Sequence, residues 1–161
     1  MRLLATLLLA ASLATGHVVA AEKPAQAAAF FLEDVSAKEF HATLQALGDA
    51  IKEAKWSVLS AHRMHENMAE HGHKIGRMTI LEVCSLKHAL VILKDDNKKM
   101  VSSMMPCRIS VYETADGRVI VSRLNADGFA GMMQAGAPEL AEIMRQAGGD
   151  MERIIAKALA K

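Results

Sequence analysis

Cys84 and Cys107 are the residues best suited to chemistry in this chain of 161 residues, which holds no other thiol. Two thiols can join as a disulfide, hold a soft metal, or exchange electrons with a partner. Three neighbours would tune them. Glu82 stands two residues before Cys84, so on a strand it shares that residue's face. Ser85 follows Cys84 as an expected helix N-cap, and Arg108 follows Cys107. A helix N-terminus and a guanidinium both favour the thiolate. Glu82, Ser85 and Arg108 are therefore the expected surroundings of a ligand site at the cysteines. A structural disulfide, a redox or ligand-binding pair, and two unlinked core thiols are all compatible with this spacing.

A second constellation is His62, Met64, His65, Met68, His71 and His73. Imidazole and thioether suit copper, and on a helix His65 and Met68 share a face. Copper is the only cofactor these residues suggest, with His62, His65, Met68, His71 and His73 as ligands. The spacing matches no established metal motif, and an exposed polar helix with methionines turned inward reads equally well. Methionine is abundant elsewhere too, at 11 residues against 6 aromatics. It fills a core flexibly where Phe and Tyr are scarce. Met104-Met105 and Met132-Met133 could instead line an adaptable binding surface. No Ser-His-Asp arrangement, paired-carboxylate motif or glycine-rich phosphate loop is present, which argues against hydrolases and nucleotide enzymes.

The elements that must position these residues follow from periodicity. Phe30-Phe31-Leu32 reads as a short first strand. Ser36 is the expected N-cap of a helix with Glu39 at the capping-box position, and Phe40, Leu44, Leu47 and Ile51 form its apolar face. Trp56 to Ala61 reads as a strand, and Met64 to His71 as a short helix closed by Gly72. The alternation of 78–84 predicts a strand ending at Cys84, and Lys87 to Lys94 a buried helix. Asp95 to Met105 is a polar connection. Cys107 to Glu113 and Arg118 to Leu124 are strands joined by the turn signal Ala115-Asp116-Gly117. A helical C-terminal third begins near Asn125, with Pro138 at a helix start and Gly148-Gly149 expected to divide two helices. The order β-α-β-α-β-α-β-β followed by helices, with an obligate hairpin, is α+β, a single sheet with packed helices. If the two cysteine strands run antiparallel, as that class favours, both thiols lie at one end of the sheet. A bridge there would stabilise by about 3 kcal/mol.

Residues 1–21 read as a signal peptide: Arg2, then an apolar run from Leu3 to Leu13 too short to span a bilayer, then small residues at Val19-Ala20-Ala21. Residues 22–29 read as a flexible leader. The expected address is the periplasm, with no stable membrane anchor after cleavage. Cleavage removes only Arg2 from the charged residues, against a formal net charge of +1 for the whole chain. The absence of a basic stripe argues against a nucleic-acid partner.

Ile80-Leu81-Glu82-Val83-Cys84, followed by a helix and then by Met105-Pro106-Cys107-Arg108-Ile109-Ser110-Val111-Tyr112-Glu113 and Asp116-Gly117, resembles the family catalogued as domain of unknown function 302. The resemblance covers roughly residues 30–132. It implies a small α+β domain with an antiparallel sheet, similar to half of the TATA-binding-protein fold, and a homodimer. Family members usually carry Asn-Pro after the first cysteine, where this chain has Ser85-Leu86. The resemblance implies no activity. The expected organisation is thus an α+β domain over 30–132 with a helical extension over 133–161. The expected role is a non-enzymatic module binding a small ligand or a protein. The alternatives are a thiol redox or sulfur-handling protein and a copper binder.

Overall fold

A computed structural model describes residues 30–160; the expected signal peptide and leader lie outside the described residues. Five strands alternate with helices in the anticipated order: β1 (Phe31–Ser36), α1 (Phe40–Glu53), β2 (Ser57–Arg63), α2 (Met64–Glu70), β3 (Met78–Cys84) and α3 (Leu86–Leu93). A 3-10 turn (Lys99–Met104), β4 (Cys107–Glu113), β5 (Val119–Leu124), α4 (Ala126–Met133) and α5 (Pro138–Leu159) complete the fold. The sheet has the order β1-β5-β4-β3-β2, and every pairing is antiparallel. The protein is α+β, with an open antiparallel sheet and packed helices. Gly117 supplies the positive φ of +82° that the β4–β5 turn requires.

Strand alternation sorts the sheet into two unlike faces. Leu81 and Val83 of β3, Ile109 and Val111 of β4 and Val119 and Val121 of β5 form one buried row. Phe40, Leu47 and Ile51 of α1 and Met151, Ile154, Ile155 and Ala158 of α5 join them in one core. The other row runs through Met78, Ile80, Glu82 and Cys84 on β3, and Arg108, Ser110 and Tyr112 on β4. Its membership is confirmed by cross-strand contacts: the Tyr112 hydroxyl donates to Glu33 at 2.6 Å, and Arg108 donates to Glu82 at 3.3 Å.

Two expectations are corrected. Ser36 is not the N-cap of α1. It is the last residue of β1, held there by pairing with Val119, and its hydroxyl meets Thr43 Oγ1 at 2.7 Å. Glu39 is the cap instead, its carboxylate accepting from the Ala42 amide at 2.7 Å. Gly148-Gly149 does not divide two helices either, since α5 runs unbroken through both for 22 residues. A Cβ on Gly148 would lie 2.3 Å from Ala126 Cβ, so the glycine serves the close crossing of α4 and α5. The buried face of α5 outweighs the roughly 1 kcal/mol that a mid-helix glycine costs. The helix expected as an extension supplies part of the core itself.

Helix α5 is longer than the sheet is tall. Its 22 residues rise about 33 Å, whereas a strand of six or seven residues spans about 20–23 Å. Its second half makes the core, and its first half overshoots the strand ends where Cys84 and Cys107 lie. Among the described residues no helix is long and apolar enough to cross a membrane.

Candidate functional site

A cavity of roughly 570 Å³ runs from the strand ends at Cys84 and Cys107 along the sheet as far as Met78 and Tyr112. Its walls come from both faces of the sheet, so it turns around the lower edge of β3, β4 and β5. Ile80, Ser110 and Ser122, side by side in register, form part of one wall. Cys84, Cys107 and Pro106 stand at the turn, and the Met105–Pro106 peptide is cis. Leu140, Ile143 and Met144 from the overshooting half of α5 close the far side, with Ile92 of α3 and Met133 of α4. The volume lies in the usual range for small-molecule pockets, about 300–1,000 Å³.

The antiparallel pairing puts both cysteines at the same end of the sheet. Val83 is the partner of Cys107, which leaves Cys84 one step further along. Such diagonal neighbours lie about 6 Å apart at Cα, within the span of a bridge, but their Cβ vectors point to opposite faces. The thiols are accordingly separate, and each is half-buried. Burial pushes the Cys107 thiol above its usual value, and the neighbouring Cys84 adds to the shift. A thiol so raised stays protonated at neutral pH and is a poor nucleophile.

Ser85 caps α3 as its position suggests, accepting from the His88 amide. Its hydroxyl is thereby committed to the helix, though Ser85 still borders the cavity. Arg108 lies exposed at the cavity edge, bonded to Glu82, which also faces His62 Nε2 at 3.5 Å. His62 sits on β2 beside Glu82, while His65 on α2 has its Nδ1 at 2.9 Å from the Met78 carbonyl. His71 and His73 follow the helix end, and Met68 lies within α2. Among the described residues no group of three or more His, Cys, Asp or Glu side chains is arranged to hold a metal ion.

Three residues that sequence reasoning passed over bear on the site, His88 and Ser110 on the cavity lining and Asp150 bonded to His88. His88, 7% exposed, borders the cavity, stacks edge-on against Trp56 and places Nε2 2.7 Å from Asp150 of α5. That bond holds the Asp150 carboxyl below the usual range, while its burial opposes the shift. Ser110 is the third: its Oγ is buried with no hydrogen-bond partner among the described residues. A serine within a β-branched run carries no sequence signal of this kind. The methionines did carry one, since Met104, Met105 and Met133 line the cavity while Met132 faces outward.

The description "Domain of unknown function DUF302" matches residues 33–158. No curated protein matches the chain. A solved structure, the uncharacterized conserved protein DUF302 from Bacillus stearothermophilus, is similar in fold, with a TM-score of 0.71 and 23% identity. The likeness covers 80% of this chain and 98% of that one. With both cysteine strands and nearly all of the sheet and of α5 inside the matched span, the chain belongs to the DUF302 family.

Proposed function

We propose that this domain, exported to the periplasm and freed of residues 1–21, is a non-enzymatic module that binds a small, mainly apolar molecule in the cavity at the end of its sheet. The observation that carries this reading is the cavity itself: roughly 570 Å³, walled chiefly by Ile, Leu, Val and Met side chains, with a few polar groups between them. An apolar wall of that extent is favourable to cover with an apolar ligand, at about 25 cal/mol per Å² removed from water.

Trp56 lines the cavity and is the chain's single tryptophan, which makes occupancy readable. Titration with the neutral dye N-phenyl-1-naphthylamine should quench Trp56 emission by energy transfer and saturate at one dye per chain. Ala147→Phe or Ser122→Phe, each filling the cavity from a different wall, should abolish the transfer. Dye that binds equally well to both filled variants would remove the reading.

The thiol redox alternative rests on Cys84 and Cys107 bordering the same space. The raised Cys107 pKa works against it. Slow iodoacetamide labelling of Cys107 at pH 7 is the expected result, and labelling as fast as a free thiol would favour the alternative.

A further inference from the structure

We infer that the ligand is an amphiphilic carboxylic acid, with its apolar body in the cavity and its carboxylate on the Arg108 guanidinium at the edge. The inference rests on the small-ligand reading above and adds the head group of the ligand and its charge to it.

Arg123 and Arg108 both border the cavity, and their guanidinium groups are unequally used. Arg123 carries two carboxylates: Nε and Nη2 donate to Glu152, and Nη1 donates to Asp34. Arg108 carries one, through a single Nη2 bond of 3.3 Å to Glu82, which is long for such a bond. A guanidinium offers five N–H donors in a planar fork. Those on Nε and Nη1 of Arg108 meet no acceptor among the described residues. A ligand carboxylate there completes Arg108 as Asp34 completes Arg123, by charge-assisted bonds. Elsewhere on the lining Glu152 is held by Arg123, and His88 meets Asp150.

The position of Arg108 keeps the cost of a charged head low. Its side chain is 63% exposed, so a carboxylate beside it stays in touch with water and escapes the penalty of burying an ion. The body has room on the sheet. Tyr112 lies four residues beyond Arg108 on β4, about 13 Å away at 3.3 Å per residue, and the cavity borders both. An extended apolar chain anchored at Arg108 thus runs towards Tyr112 and Met78, with Met104 and Met105 adapting their rotamers to it. Glu82 limits the charge of the head. A guanidinium already beside one carboxylate matches a monoanion better than a dianion.

The test is calorimetric titration at neutral pH with decanoate, decan-1-ol, decylammonium and monodecyl phosphate, on the purified protein, Arg108→Gln and Glu82→Gln. In Arg108→Gln, decanoate should lose about fivefold more affinity than decan-1-ol does, the scale of one solvent-exposed ion pair. Glu82→Gln should tighten decanoate, because the competing carboxylate is gone. Decylammonium and decyl phosphate should both bind the parent more weakly than decanoate. A decanoate affinity that falls no further than that of decan-1-ol in Arg108→Gln, or decylammonium as tight as decanoate, overturns the anionic head. Decyl phosphate as tight as decanoate overturns the choice of a monoanion. Binding of decan-1-ol without binding of decanoate defeats this inference alone, whereas no binding by any probe defeats the cavity reading with it. An unchanged thermal melt of Arg108→Gln shows that the variant is folded.

Discussion

On one face of β3, β4 and β5, Leu81, Val83, Ile109, Val111 and Val121 are sealed under α1 and α5. On the other, Ile80, Ser110 and Ser122 border open space. The two rows alternate along the same strands, so backbone and hydrogen-bond ladder are common to both. What differs is whether helices reach them. The covered row carries the core, and the uncovered row borders the cavity.

The largest effect should come from the covered row. Ile109 is 0% exposed, and Ile109→Ala should cost about 2–5 kcal/mol, read as a lower urea midpoint. Gly148→Val tests the crossing that holds the cavity's helical wall in place. With a Cβ forced against Ala126, it should cost about 1–3 kcal/mol and lower the melting temperature. A neutral result would mean that α4 and α5 separate freely.

Asp150→Asn removes a charge-assisted bond across the boundary between the two regions and should cost about 1–2 kcal/mol at neutral pH. The pH dependence follows from the sign of the shift. A carboxyl held below its usual range stabilises the fold fully above the ordinary Asp value of about 4, and that contribution is lost as pH falls through the depressed value. Melts taken from pH 2 to 6 should therefore be flatter for Asp150→Asn than for the parent. Last and smallest, Ile80→Ala should cost about 1 kcal/mol, because one side of Ile80 already lacks neighbours. A loss equal to that of Ile109→Ala would erase the distinction between the faces.

How far the sequence revealed this depended on how local each signal was. β3, β4 and the hairpin to β5 were legible because β-branched alternation and Asp116-Gly117 act within a few residues. Ser85, Asn125 and Pro138 were recognisable helix starts for the same reason. The Ser36 error arose because a serine before a helical run looks alike whether it caps the helix or ends a strand. Only its pairing with β5 decides. Gly148-Gly149 misled because propensity is summed locally, whereas α5 is held by Met151, Ile154 and Ile155 in a distant core. Antiparallel placement of the cysteines could be reasoned from the fold class. Their opposite faces could not, since a shift of one residue in register would have put them together. The cavity was the least legible feature, because its walls run from Phe31 to Glu152.

Helix α5 is one continuous rod with two employments, and it is clamped at its C-terminal end, where Lys38 donates to the Ala160 carbonyl and Lys157 reaches Glu53. Its first half, which carries Ile143 and Met144 on the cavity, is braced against α4 at Gly148 and tied to Lys98 through Glu139. One element thus joins the cavity wall to the globule beside the end of β1, about 24 Å along its axis from Met144 to Ala160 at 1.5 Å for each residue.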